Sequence, residues 1–210
     1  MAELQMDEQG TPATPASGKM LVYPDSSASV FVQKNDAGRV QGDDSRVVVA
    51  AQTLGVADTY VTNSGLIVPS SSVQVGTAFE WKIYMTKTAA GVAAPVYQIR
   101  IGANQTTADT SRLSATGPAQ TAVADAAELQ IVVSVRSVGV AGVIQGSFML
   151  AHNLAATGFA ATGPAGTAFL DATSAGFDNT ALGGQFVGLS INAGAASAWT
   201  ITQCIGRVWY

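Results

Sequence analysis

The chain is expected to fold as an all-β protein: an antiparallel β-sandwich or jelly roll, preceded by an extended N-terminal arm and a small β-hairpin. Three observations predict this. Apolar and polar residues alternate with period two in six segments, the signature of strands with one buried face. The pieces between those segments are rich in Gly, Asn, Ser and Thr and carry turn signals such as Asn63-Ser64-Gly65. No long stretch matches a helical period, so strands joined by loops favour two packed antiparallel sheets.

The first 18 residues lack periodicity and contain Gly10, Pro12, Pro15 and Gly18, the composition of an extended, polyproline-like arm. Met20 and Val22, then Val30 and Val32, alternate with their neighbours on either side of Pro24-Asp25-Ser26-Ser27, which predicts a two-stranded hairpin. An isolated hairpin is marginal in water, so this one must lean on the body, a sister chain or a larger partner. Residues 1–40 therefore form one unit. Residues 41–58, with Val47, Val48, Val49, Leu54 and Val56, read either as a strand followed by a turn or as a connector.

The body is placed at 59–210. Phe79, Trp81, Ile83 and Met85 share one face of a strand; Tyr97, Ile99 and Ile101 do so in the next, and Leu129, Ile131, Val133 and Val135 in a third. SFMLAHN, FVGLSIN and WTITQCIGRVW repeat the pattern less strictly. Residues 119–127 (AQTAVADAA) are helix-friendly in composition but short. The segments around 103–118 and 155–185 read as long Thr-, Asn- and Gly-rich loops.

Composition narrows the function. Only 11% of residues are charged, against about 25% in soluble domains generally, so the surface is made of hydroxyls, amides and small apolar groups. Such a surface suits a chain that packs against copies of itself or other partners. The net charge of −4 leaves no cationic excess to neutralise phosphates, which argues against a nucleic-acid partner. Half of the fourteen acidic residues precede residue 47, leaving a near-neutral body. Cys204 is the single cysteine, which excludes an intrachain disulfide and a cysteine-based zinc site. The acidic N-terminus has no apolar core of a secretory signal. Apolar residues 129–144 are interrupted by Arg136 and fall short of the roughly 20 needed to span a bilayer. A soluble, cytosolically made protein with no membrane partner is the expectation.

Candidate chemistry is sparse. His152, the only histidine, is in phase with Phe148 and Leu150 and reads as a half-buried strand histidine bonded to a backbone group. A Ser-His-Asp relay would need both partners within hydrogen-bond reach, and no nucleophile-elbow context accompanies it. Glu80 falls on an outward strand face, while Asp109, Asp171 and Asp178 lie in turn-like segments that Asx turns explain. The Asp-x-Asp spacing of a calcium loop is missing, and Ala161–Gly166 has glycines without the Lys-Ser/Thr end of a phosphate loop. No enzyme, cofactor or metal is expected. Trp81 and Trp199 are in phase with core residues. Trp209 and Tyr210, two aromatics at the end of the sequence, either dock on the chain's own sheet or are buried at an oligomer contact.

GTPATPASGKMLVYPDSSASVFVQKNDAGR, residues 10–39, resembles the N-terminal segment of tailed-bacteriophage virion structural proteins of the head-fibre, capsid-decoration and short-tail-fibre type. The matching pieces are the Pro/Ala arm from Thr11 to Pro15, Gly18-Lys19, Tyr23, and Lys34 to Gly38; Asp25-Ser26-Ser27 stands where the family has Asp-Gly. The body, with FEWKIYMTKTAAGVAAPVYQIRIG, AELQIVVSVRSVG and FVGLSINAGAASAWTITQ, also looks like such proteins. The resemblance implies a homotrimer of jelly-roll-like domains on the virion, assembled in the bacterial cytoplasm. It would be held to major capsid or tail proteins by Pro12, Pro15, Lys19, Leu21, Tyr23, Val30, Val32 and Lys34. The alternative is a receptor- or glycan-binding adhesin module, whose loops recognise a host surface glycan during attachment.

Overall fold

The computed structural model describes residues 12–25, 30–35, 40–42, 45–48, 50–68, 72–154, 157–159, 167–195 and 198–209. At 25, 30–35, 40–42, 45–48, 167 and 168 it describes only the backbone. Among these residues every regular element is a strand. The chain runs β1 (Met20–Asp25), β2 (Val30–Asn35), β3 (Val40–Gly42), β4 (Ser45–Val48), β5 (Gln52–Thr53), β6 (Thr59–Tyr60), β7 (Leu66–Ile67), β8 (Ala78–Lys87), β9 (Val96–Gly102), β10 (Thr110–Thr116), β11 (Asp125–Ser137), β12 (Val143–His152), β13 (Thr167–Thr173), β14 (Phe186–Asn192) and β15 (Trp199–Trp209).

Two antiparallel sheets make the sandwich. The larger has the order β13-β12-β11-β8-β15-β4, with β5 also paired to β15. The smaller has the order β10-β9-β14-β6, with β7 also paired to β14. Their inner faces are the period-two apolar sets read from the sequence. Phe79, Trp81, Ile83 and Met85 on β8 are buried opposite Val133, Ile131, Leu129 and Ala127 on β11, their register partners. From the smaller sheet, Tyr97, Ile99 and Ile101 meet them together with Val187, Leu189 and Ile191. The Tyr97 ring stacks on Phe148 of β12, centroids 5.9 Å apart, and lies 6.4 Å from Trp199. These aromatics join the two sheets. Both core indoles also satisfy their N–H: Trp81 donates to the Ser64 carbonyl at 2.8 Å and Trp199 to the Gln120 side chain at 2.7 Å.

Several elements depart from the sequence reading. Residues 110–116 and 167–173, taken as parts of long loops, are the edge strands β10 and β13. Of the seven residues of β10 only Leu113 and Ala115 are buried, so an edge strand made of Thr, Ser and Ala leaves almost no apolar alternation to see. Asp171 accordingly sits in a strand opposite Ser147, not in a turn, and accepts from Gln145 at 3.0 Å. Within 41–58, β4 and β5 pair with β15 of the large sheet, and β3 adds a third strand to the hairpin, giving the order β1-β2-β3. Residues 119–124 make no helix, and the strand β11 begins at Asp125. The glycine-containing run 161–166 and the turn residues 26–29 lie outside the described residues.

Candidate functional site

The N-terminal segment is an irregular stretch from Pro12 followed by the three-stranded sheet. A bond from the Lys19 N–H to the Ala16 carbonyl at 3.0 Å closes a turn at Gly18, whose φ of 71° is left-handed and costs glycine nothing. Of the residues expected to anchor, Pro12 and Pro15 are half-buried, Lys19 is exposed, Leu21 is half-buried and Tyr23 is completely buried. Val30, Val32 and Lys34 lie on the central strand β2, opposite Asp25, Tyr23 and Leu21. The strand therefore has two faces. Tyr23 is already covered by this chain, whereas Met20 and Val22, on the alternate face of β1, are 63% and 52% exposed.

One end of the sandwich core is polar. Lys87, Asp125 and His152 end the inward-facing rows of β8, β11 and β12, and Lys87 and Asp125 are register partners. His152 Nδ1 lies 2.7 Å from Asp125 Oδ2, with both side chains at most 1% exposed. The same carboxylate accepts from the Ala126 N–H at 2.8 Å and the Phe159 N–H at 3.2 Å. Thus the partner of His152 is a side-chain carboxylate, not the backbone group expected. The pairing was hidden because Asp125 lies 27 positions away and its inward phase shows only once the strand is extended to it. Lys87 Nζ donates to the carbonyls of Thr88, Ala90, Thr121 and Val123, at 2.7 to 3.3 Å. Burial pushes its amine below the ordinary lysine value, and the Asp125 charge works in the opposite direction.

What this polar end can do chemically is limited by its neighbours. His152 borders a depression of about 420 Å³ that also touches Tyr84, Glu128, Asn153 and Thr202. Thr202, at a β-bulge in β15, spends its hydroxyl on the Tyr84 carbonyl at 3.0 Å. Among the described residues no serine, threonine or cysteine side chain hydrogen-bonds to the imidazole. Cys204 is buried, and desolvation raises its thiol pKa to about 12. No group of three or more His, Cys, Asp or Glu side chains able to hold a metal occurs among the described residues.

A second polar site lies on the smaller sheet. Arg100, 12% exposed at its side chain, donates to Asp58 Oδ2 at 2.6 Å, to Ser190 Oγ at 2.7 Å and to the carbonyls of Thr107 and Asp109. Ser190 in turn donates to Asp58 at 2.9 Å. The Asp109 carboxylate gathers the next loop, accepting from the backbone N–H groups of Asn104 and Gln105 at 3.0 and 2.8 Å. Above this network is a depression of about 460 Å³, bounded by Asp58, Tyr60, Thr62, Asn63, Gln105 and Thr107 among others. Two of the three non-glycine residues with positive φ among those described, Asn63 at 57° and Gln105 at 54°, stand on its rim. Composition marked 103–118 as a loop of interest; nothing in the sequence paired it with 58–63, which β6 brings alongside through β14.

The outer face of the large sheet carries the remaining features. Trp209 is 52% exposed, with the Arg207 guanidinium 4.7 Å above its ring, while Tyr210 lies outside the described residues. Arg207 also donates to Glu80 at 2.8 Å and holds that carboxyl below its ordinary value. Met149 and Phe169, register partners on β12 and the edge strand β13, are 37% and 64% exposed. No helix among the described residues is long and apolar enough to cross a membrane. Neither the family models nor the curated proteins contain a match to this chain.

Proposed function

We propose that the protein is a non-enzymatic structural component of a tailed-phage particle. On this reading it is a surface homotrimer that decorates the capsid or forms a short fibre, strapped to major capsid or tail proteins by residues 1–42. The observation that carries it is the N-terminal three-stranded sheet. Its strands pair with one another rather than with the sandwich sheets, it follows an irregular proline-containing stretch, and β1 is an edge strand presenting Met20 and Val22 to solvent. An unpaired edge with exposed apolar side chains is suited to strand addition on a neighbour. The exposed pair Met149 and Phe169, beside an edge that is unpaired among the described residues, supports self-association of the body.

The test is a deletion of residues 1–42 in the phage that encodes the chain. The shortened protein is expected to accumulate folded in lysates and to be missing from purified particles. Normal incorporation of the shortened protein would refute the strap.

A further inference from the structure

We infer that the depression between residues 58–63 and 104–107 is a binding site for an uncharged sugar. This goes beyond attachment to a particle and stands independently of it, since the site is built entirely on the sandwich.

The site has two tiers. In the lower tier the charges are paired: Arg100 is committed to Asp58 Oδ2, Ser190, Gln98 and two carbonyls, and Asp109 to the backbone of the 103–109 loop, while the buried Asp58 Oδ1 makes no hydrogen bond among the described residues. In the upper tier the polar groups are unspent. Among the described residues, the hydroxyls of Thr62 and Thr107 and the side-chain amides of Asn63 and Gln105 make no intramolecular hydrogen bond. Hydroxyls and carboxamides both donate and accept, as sugar hydroxyls do, so each can serve a sugar in either sense. No uncompensated charge borders the depression, so nothing there favours a phosphate or carboxylate over a neutral ligand.

The geometry is fixed beforehand. Gln105 lies against Gly65, where an added Cβ would meet its amide oxygen at 2.6 Å, and both Asn63 and Gln105 hold left-handed backbone that costs free energy unless the surroundings impose it. Ordering a rim in advance lowers the entropy lost on binding. The half-buried ring of Tyr60 supplies the apolar wall against which a sugar's C–H face can rest. The volume of about 460 Å³ falls in the range of small-ligand sites. So open and polar a site predicts weak binding per copy, on the order of 1 mM.

The experiment is an amide NMR titration of the full chain with the methyl glycosides of glucose, galactose and N-acetylglucosamine, with methyl glucuronide as the charged probe. At least one neutral glycoside is expected to shift amides confined to 58–63 and 104–107 and to saturate. The double variant Thr62→Val, Thr107→Val removes two exposed hydroxyls at nearly constant volume and should weaken that binding about tenfold, about one hydrogen bond's worth for the pair. Its remaining amide spectrum and melting temperature should be unchanged. The inference is overturned if no neutral glycoside shifts those amides, if methyl glucuronide binds more tightly than all three, or if the double variant binds as the parent does.

Discussion

The Asp125 carboxylate is fully buried, and among the described residues His152 is its only side-chain hydrogen-bond partner. Its other contacts are two backbone N–H groups, one of them from Phe159, whose ring packs edge-on against Trp199 at 4.9 Å. Removing one member of a buried pair costs more than the pair itself contributes, because the survivor keeps its desolvation penalty. His152→Ala is therefore expected to destabilise the folded state by about 3 kcal/mol, read as a lower denaturant midpoint with unchanged slope. A structural role also predicts that Asp125→Asn with His152→Ala loses less than the sum of the single changes, since the two side chains form one interaction. Full additivity in that double-mutant cycle would show that the 2.7 Å contact is energetically idle.

Between strands, a single lysine fixes the loops at one end of the sandwich. The ammonium of Lys87 gathers two carbonyls from the turn after β8 and two from the segment before β11, bringing together pieces of chain more than thirty residues apart. Lys87→Met keeps the length of the stem and removes the donors, leaving those carbonyls to solvent or to one another. The expected loss is about 2 kcal/mol, and amide exchange should rise in residues 88–92 and 119–124 while the centre of β8 stays protected. Unchanged exchange in both segments would mean the loops are held by other contacts. The lysine also shows where legibility ended. Its place in the inward row of β8 follows from the phase of Phe79, Trp81, Ile83 and Met85, yet the apolar alternation itself ends at Met85, one inward position short of it. Long central strands were visible because each buries three or more large side chains on one face. β10 and β13 were not, because an edge strand needs few apolar residues. The two polar sites were invisible for a different reason: each is assembled by register between segments distant in the chain, as Asp58 with Arg100 and Ser190.

At the scale of the whole chain, the N-terminal three-stranded sheet ends at Gly42 and pairing with the large sandwich sheet begins at Ser45. Residues 41–58 read either as a strand followed by a turn or as a connector, because no period is sustained across them; the backbone of 45–48 and 52–53 extends the large sheet along β15. Leu54, just after β5, is fully buried in the core, and its N–H donates to the Trp199 carbonyl at 2.9 Å. Gln52 braces the edge of the polar depression, donating to the Tyr60 carbonyl and accepting from the Thr62 N–H at 2.8 and 2.9 Å. Two truncations separate the alternatives. A chain starting at residue 43 removes only the N-terminal segment with its three-stranded sheet, and it should unfold cooperatively with little change in midpoint. A chain starting at residue 59 exposes the β15 ladder along β4 and β5 and empties the Leu54 position, at a cost of at least about 3 kcal/mol for the lost core side chain alone. It should also loosen residues 59–63, because Gln52 no longer ties them down, so amide protection at Val61 and Thr62 should fall together with the midpoint. Equal stability of the two truncations would make 43–58 a linker after all. A sharp difference would place the division at the end of β3, with the three-stranded sheet on one side and both polar sites on the other.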